Sequence, residues 1–174
     1  MRSTRELLWE RGYVGTSPKA IQQRSGVGQG SMYHHFTGKS DLALAAIEQT
    51  GAELRASAAT QLDGPGSARD RITAYLRRER EVLKGCPIGR LTQDPDILAD
   101  EQLRTPVGET LDWVRGRIAE ILAEGNAAGE FDLDPEAVAA TLLAVLQGGY
   151  VLARATNSIE PYDKAIAGVL SLLH

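Results

Sequence analysis

Hydrophobic residues recur at intervals of three and four along most of the chain, a spacing typical of amphipathic helices. The run SDLALAAIEQTGAELRASAATQ at 40–61 is rich in Ala and Leu, and the turn residues DGPGS follow it. No stretch alternates apolar and polar residues as a half-buried strand would. We therefore predict an all-α chain with helices over residues 40–61, 68–84 and 107–128, then two apolar helices that begin at Pro135 and Pro161.

The first forty residues are predicted to form three short helices. The first covers residues 5–11, and a second begins where Ser17 provides an N-cap and Pro18 takes the first helical position. After a glycine turn, a third helix covers residues 29–36, with Ile21, Val27 and Met32 forming a small core beneath it. Two short helices around a tight turn make a helix-turn-helix, which places its second helix in the major groove of DNA.

The segment SGVGQGSMYHHF at 25–36 also admits other interpretations. A phosphate-binding loop needs a buried strand before it and a Lys-Ser/Thr pair after it, and neither is present. His34 and His35 are neighbours on a predicted helix and diverge by about 100 degrees, so they are poorly placed to bind one metal ion. A helix that packs or faces solvent without binding anything stays open as an alternative.

Charge is distributed unevenly along the 174 residues. The first fifty hold six Lys or Arg against four acids, whereas the remainder holds thirteen against nineteen, and the whole chain has a net charge of -4. A mildly basic end on an acidic body suits a nucleic-acid-binding head joined to a body that does not bind nucleic acid.

Composition argues against several other classes of protein. The single cysteine, Cys86, cannot form an internal disulfide, and three scattered histidines give no zinc spacing, so we expect no metal and no cofactor. No nucleophile, base and orienting group come together in the sequence, so we expect no enzyme. No apolar run approaches the roughly 20 residues that cross a bilayer, which favours a cytoplasmic protein without a membrane partner.

Residues 7–44 contain several short motifs, which are Gly12-Tyr13, Thr16-Ser17, Gly26-Val27, Ser31-Met32-Tyr33-His34-His35-Phe36 and Lys39-Ser40-Asp41-Leu42. Together these motifs resemble the DNA-binding head of the tetracycline-repressor-like (TetR/AcrR) family of bacterial transcription regulators. The segment GCPIG at 85–89 is similar to a subgroup of that family.

The resemblance implies a set of DNA contacts. Gln29 and Ser31 would read base edges, since Gln can pair with adenine and Ser can bond to either base type. Lys19 and Lys39 would hold phosphates on either side, and the other members would meet phosphates or base edges. The full set is Ser17, Lys19, Gln29, Ser31, Tyr33, His34, His35 and Lys39.

The resemblance also implies a division of labour along the chain. Residues 1–45 would form the helix-turn-helix domain, and residues 46–174 the larger helical domain for ligand binding and dimerisation. The two C-terminal helices of each copy would build a four-helix bundle, and the homodimer would read an inverted repeat.

A small-molecule effector bound among the later helices would release the repressor by changing the spacing of the heads. Packing is an open alternative for the aromatic members of the candidate ligand-binding set, because an aromatic side chain on an amphipathic helix usually belongs to the core. That set is Tyr75, Cys86, Trp113, Gln147 and Tyr150. The alternative function is a helical small-molecule-binding protein that does not bind DNA.

Overall fold

The computed structural model describes residues 1–26 and 36–173, which form helices and turns without a strand among them. The all-α prediction is confirmed. Short 3-10 helices cover Val82–Lys84 and Gly89–Gln93. The α-helices are α1 Arg2–Arg11, α2 Pro18–Ser25, α3 Lys39–Leu62, α4 Ala68–Arg77, α5 Pro95–Ala99, α6 Glu101–Ala127, α7 Pro135–Thr156 and α8 Glu160–Leu170.

The chain divides into two compact units. The boundaries lie inside α3, between the two 3-10 helices, and inside α6. The first unit contains Met1–Glu53 and Pro87–Thr110, and the second contains Leu54–Cys86 and Leu111–His174. The first unit thus includes residues 87–110, which the division at residue 45 assigns to the larger domain. The domain boundaries at 1–45 and 46–174 stay a prediction.

A small apolar core joins the first three helices of the first unit. Leu7 of α1, Ile21 of α2 and Leu42 of α3 are buried together, and Ala20 and Phe36 pack against them. The predicted core partners of Ile21 at positions 27 and 32 lie outside the described residues. Each of the three helices thus contributes one large aliphatic side chain to this core.

The second unit has an aliphatic core to which α4, α6, α7 and α8 contribute. Gly149 lets α7 and α8 pack closely, because a Cβ atom there would lie 2.9 Å from Tyr162 Cδ2. Glu130 anchors the start of α4 by accepting hydrogen bonds from the amides of Ala68 and Arg69 at 3.1 and 3.2 Å. Fully buried side chains of this core include Ile72, Leu76, Ile118, Ile121, Leu122 and Leu142.

The helix predicted over residues 68–84 is shorter in the structure. α4 ends at Arg77, and Arg78 adopts an extended conformation with φ −54° and ψ 149°. The guanidinium of Arg80 donates to the carbonyl oxygens of Leu76 and Arg78, both at 2.9 Å. These carbonyls are satisfied by a side chain in place of the amides that a continuing helix would supply.

The segment before residue 107 is more helical than its sequence suggested. Asp94 caps α5 and Pro95 takes its first position, while the Asp100 carboxylate accepts from the Gln102 amide at 3.0 Å to start α6. Pro106 lies inside α6, close to its start, where it removes a single main-chain hydrogen bond. The predicted start at residue 107 is therefore wrong by six residues.

The helix α7 is apolar over much of its length. By length and composition alone it could cross a membrane, with a mean hydropathy of 1.5 over its most apolar window, 33% of which is buried. The expectation that no stretch approaches this length is therefore wrong. A long apolar helix of this kind also occurs in the cores and interfaces of soluble proteins.

Candidate functional site

The N-terminus of α2 presents two of the side chains predicted to contact DNA. Ser17 caps the helix, because its hydroxyl oxygen accepts a hydrogen bond from the Ala20 amide at 3.1 Å. Ser17 and Lys19 are both exposed in the first turn. The free amides and the dipole of a helix N-terminus attract anions, and Lys19 adds a full positive charge to them.

Lys39, at the start of α3, lies against the turn that leads into α2. Its ammonium nitrogen is 3.9 Å from the centroid of the Tyr13 ring. A cation over an aromatic face is held by the ring quadrupole, so Tyr13 restricts where the Lys39 charge can lie. Tyr13 belongs to one of the sequence motifs, but no role is predicted for it from the sequence.

Five predicted DNA contacts lie outside the described residues. They are Gln29, Ser31, Tyr33, His34 and His35. Gly26 closes α2 in the left-handed conformation, with φ 69°, and the Asp41 carboxylate accepts from the Thr37 amide at 3.0 Å before α3 begins.

The turn between α1 and α2 is held by a carboxylate from much later in the chain. Asp94 Oδ2 accepts hydrogen bonds from the amides of Tyr13 and Val14 at 2.7 and 3.0 Å. Its other oxygen accepts from the Ile97 amide, within α5. Arg90 adds a hydrogen bond to the Trp9 carbonyl at the end of α1.

Asp94 is buried and is one of the residues that sequence reasoning missed. Its Asp-Pro pairing with Pro95 is a recognisable helix-start signal. The hydrogen bonds that Asp94 accepts from the Tyr13 and Val14 amides join residues about eighty positions apart, and no pattern in the local sequence predicts them. The residues 89–99 therefore fix the turn that carries Tyr13 and leads to Ser17.

The predicted ligand-binding residues separate into two groups. Tyr75, Cys86 and Tyr150 are buried in the second unit and lie near one another. Trp113 is 37% exposed on α6, and Gln147 is half-buried on α7. The role of all five in ligand binding stays a prediction.

A cavity of about 540 Å³ opens in the second unit beside the end of α4, and we call it the arginine cleft. Its volume lies in the range of roughly 300–1,000 Å³ that is typical of small-molecule sites. None of the five predicted residues lines it. Its lining residues are 76–80 and Val82 on one side, and Ile159, Tyr162, Asp163, Ile166 and Ala167 on the other.

Two arginines of the cleft share one aromatic ring. The guanidinium carbons of Arg78 and Arg80 each lie 5.1 Å from the centroid of the buried Tyr75 ring. Burial, and next the positive charge of Arg80, lower the pKa of Arg78. The buried phenol of Tyr75 therefore supports both cations from behind the cleft wall without lining the cleft itself.

Tyrosines complete the cleft wall at α8. The rings of Tyr150 and Tyr162 lie 5.2 Å apart, and burial raises the pKa of both phenols, against the opposing effect of Arg80. The Tyr162 hydroxyl is buried and has no hydrogen-bond partner among the described residues. Arg78, Arg80 and Tyr162 are not among the predicted site residues, and the first two lie within the helix predicted over residues 68–84.

A metal centre is not formed by the described residues. In residues 1–26 and 36–173, no group of three His, Cys, Asp or Glu side chains could hold an ion.

Comparison with known proteins gives matches along nearly the whole chain. The family model described as "Bacterial regulatory proteins, tetR family" matches residues 1–46, and the one described as "Tetracyclin repressor-like, C-terminal domain" matches residues 68–169. The HTH-type transcriptional repressor NemR of Escherichia coli (strain K12) is 26% identical over 177 residues, covering 97% of this chain and 88% of NemR.

Solved structures share the fold over the same length. The regulatory protein TetR from Rhodobacter sphaeroides is 27% identical, with a TM-score of 0.85, covering 99% of this chain and 96% of that one. A cysteine mutant of the TetR family regulator CifR, solved with a 26bp double-strand operator DNA, is 22% identical, with a TM-score of 0.83 and coverage of 99% and 93%. The chain thus belongs to the tetR family of bacterial regulatory proteins and is a helix-turn-helix transcription regulator.

Proposed function

We propose that the protein is a cytoplasmic homodimeric repressor, which binds an inverted-repeat operator and releases it when a small molecule occupies the second unit. The observation that carries the DNA-binding part is the arrangement at the start of α2. The cap at Ser17 and the contact between Lys39 and Tyr13 bring exposed donors and two lysine side chains to the two helix starts that flank residues 27–35.

These groups suit the DNA backbone. Phosphates are held by lysines, hydroxyls and helix N-termini, while base edges are read by side chains inside the groove. Lys19 and Lys39 would therefore set the position of the head, and Ser17 would contribute its helix N-terminus. Gln29 and Ser31 would read base edges, and Tyr33, His34 and His35 would add phosphate or base contacts.

The relatives support this assignment. NemR is named a transcriptional repressor, and CifR has been solved on operator DNA. The family model for the N-terminal part covers residues 1–46, which include all eight of the proposed DNA contacts. Repression and operator binding are therefore proposed for this chain, because one relative is named a repressor and another was solved with operator DNA.

Dimerisation through α7 and α8 is supported by large apolar side chains that the single chain leaves uncovered. Each is more than half exposed, and a second copy that covered them would remove this apolar surface from water. A second copy that packs the same two helices against them would complete a four-helix bundle. The side chains are Val151, Leu152, Ile159 and Leu172.

Asp94 supports a route for the release signal along the chain. Cys86 is the last residue of the second unit before residues 87–110, and this segment carries both Arg90 and Asp94. Because Asp94 bonds to the Tyr13 and Val14 amides, a shift of this segment would move the turn that orients α2.

The test is selection of random duplex DNA by the purified full-length protein, with sequencing of the retained fragments. An enriched inverted repeat is expected, with half-sites one helical turn or a multiple of it apart. Enrichment of a single half-site would contradict the dimer. No enrichment at low salt, with a folded protein, would contradict DNA binding and favour a helical protein that binds only small molecules.

A further inference from the structure

We propose that the arginine cleft binds a small organic monoanion, a carboxylate or sulfonate carried on an apolar body. The identification of this anion as the effector rests on the proposed function. The binding itself does not, because every residue that carries the argument belongs to the second unit.

The charge of the cleft favours an anion. Arg78 and Arg80 are half-buried, converge on Tyr75, and form no ion pair among the described residues. Their Nε atoms are buried without a hydrogen-bond partner. Two guanidinium groups held together in a partly desolvated wall repel each other, and an anion between them would remove that repulsion.

The hydroxyl of Tyr162 is a second and independent indication. Tyr162 is 5% exposed and lines the cleft, and its buried hydroxyl has no hydrogen-bond partner of ordinary geometry among the described residues, although the neighbouring Tyr150 lies close enough to interact with it. A buried donor without a partner is costly, so natural proteins rarely retain one without a ligand or water to satisfy it. An acidic ligand oxygen would accept this hydrogen bond.

The other lining residues restrict the charge and shape of the ligand. Glu79 and Asp163 also line the cleft, so they offset much of the positive charge of Arg77, Arg78 and Arg80. A single negative charge matches the remaining charge, whereas a phosphate dianion would face two carboxylates.

The rest of the lining is largely apolar. Val82, Ile159, Ile166 and Ala167 add aliphatic surface beside the charged groups on both sides of the cleft. The volume of about 540 Å³ exceeds that of an inorganic ion many times over. An apolar body that carries the charge at one end would therefore fill the cleft.

The test uses a matched pair of fluorescent probes and the full-length protein without DNA. Anilinonaphthalene sulfonate carries the anion, and phenyl naphthylamine is the same aromatic body without it. Fluorescence titration is expected to give binding of the sulfonate about tenfold tighter or more than that of the neutral amine, and phenylbutyrate is expected to displace it.

Three variants assign the binding to the cleft. Arg80 also caps α4, so Arg78→Gln and Tyr162→Phe are preferred, and each is expected to weaken sulfonate binding, Arg78→Gln by about tenfold. Lys164→Gln on α8 is the matched control, because Lys164 is exposed, pairs only with Glu160 among the described residues, and does not line the cleft. It is expected to leave the affinity unchanged.

Several results would overturn the proposal. These are equal binding of the sulfonate and the neutral amine, no binding of either, and unchanged sulfonate affinity in both Arg78→Gln and Tyr162→Phe with circular dichroism like that of the wild type. Weakened self-association of Arg78→Gln with no probe binding would assign the cleft to a second copy of the chain, and this too would overturn the proposal.

The selection experiment separates the two proposals. An enriched operator with no anion binding would leave the regulator function intact and remove the anion site. Anion binding without an enriched operator would do the reverse.

Discussion

The two units of the molecule treat their polar groups in opposite ways. Among residues 1–26 and 36–173, every buried side-chain polar atom that lacks a hydrogen-bond partner lies in the second unit, and three of them belong to the arginine cleft. In the first unit, the buried Asp94 has both carboxylate oxygens bonded to amides, while Lys19 is exposed to solvent.

This difference matches two kinds of recognition. A surface that binds a polyanion keeps its cations in water and needs a rigid backbone behind them. A cleft that takes in a small ligand has a mostly apolar lining with a few partly buried polar groups that the ligand can bond to. The first unit therefore holds its turn through satisfied hydrogen bonds and carries Lys19 on its surface, whereas three side chains of the cleft in the second unit keep a buried polar atom without a hydrogen bond.

The largest expected effect comes from removing the Asp94 carboxylate, which accepts hydrogen bonds from the turn between α1 and α2 and from α5. Asp94→Ala removes the cap of α5 and leaves the Tyr13 and Val14 amides without their acceptor. We expect a decrease of about 3 kcal/mol in the free energy of unfolding, measured by urea denaturation, together with loss of operator binding.

Asp96→Ala is the control for this change. Asp96 lies in the same helix turn but is exposed, so its removal should cost no more than about 0.5 kcal/mol through the helix dipole. Equal effects of the two substitutions would show that the bonds from Asp94 to the turn contribute nothing.

The next largest effect tests how the cleft wall is built. In Gly149→Ala the new Cβ would lie 2.9 Å from the Tyr162 ring, so we expect destabilisation of about 1–3 kcal/mol and weaker binding of anilinonaphthalene sulfonate. Gly148→Ala is the neighbouring control, since a Cβ there meets no heavy atom within 4 Å. It should gain helix propensity of up to about 1 kcal/mol. Similar stability of the two variants would refute close packing of α7 on Tyr162.

The helix starts and ends show which parts of the fold can be predicted from the sequence. The helix starts at Pro18 and Pro135 were predicted correctly because a proline at the first helical position is a local signal. The early end of α4 was not predicted. The Arg80 side chain donates to carbonyl oxygens at the end of this helix, and the sequence after Arg77 has the same pattern of charged residues whether the helix continues or stops. The meeting of Arg78 with Tyr162 joins positions more than eighty residues apart, and no spacing rule predicts it.

A smaller effect distinguishes the two lysines of the first unit from the arginines of the cleft. Lys19→Gln with Lys39→Gln should reduce the slope of log affinity against log salt by roughly 0.9 for each phosphate that the protein no longer neutralises, as measured by fluorescence anisotropy on the selected operator. Binding of anilinonaphthalene sulfonate should depend less on salt, because partly buried charges are screened less. A slope unchanged from that of the wild type would exclude phosphate contacts by these lysines.

The smallest effect is the acid dependence of two carboxylates, one in each unit. The hydrogen bond from Arg5 holds the pKa of Glu53 below its ordinary value, and hydrogen bonds from the Arg69 and Ala68 amides do the same for Glu130. A pKa that is lower in the folded state stabilises the protein above the ordinary carboxyl value of about 4.3, and this stabilisation is lost as pH falls through the folded pKa. Glu53→Gln and Glu130→Gln should each be less stable than the wild type at neutral pH and approach it in acid, measured as urea midpoints against pH.

Added salt should shrink the difference for Glu53, whose partner is a charged side chain, more than for Glu130, whose partners are backbone amides. Equal salt sensitivity would mean that the two units hold their carboxylates by the same kind of interaction, which is the opposite of what the hydrogen bonds indicate.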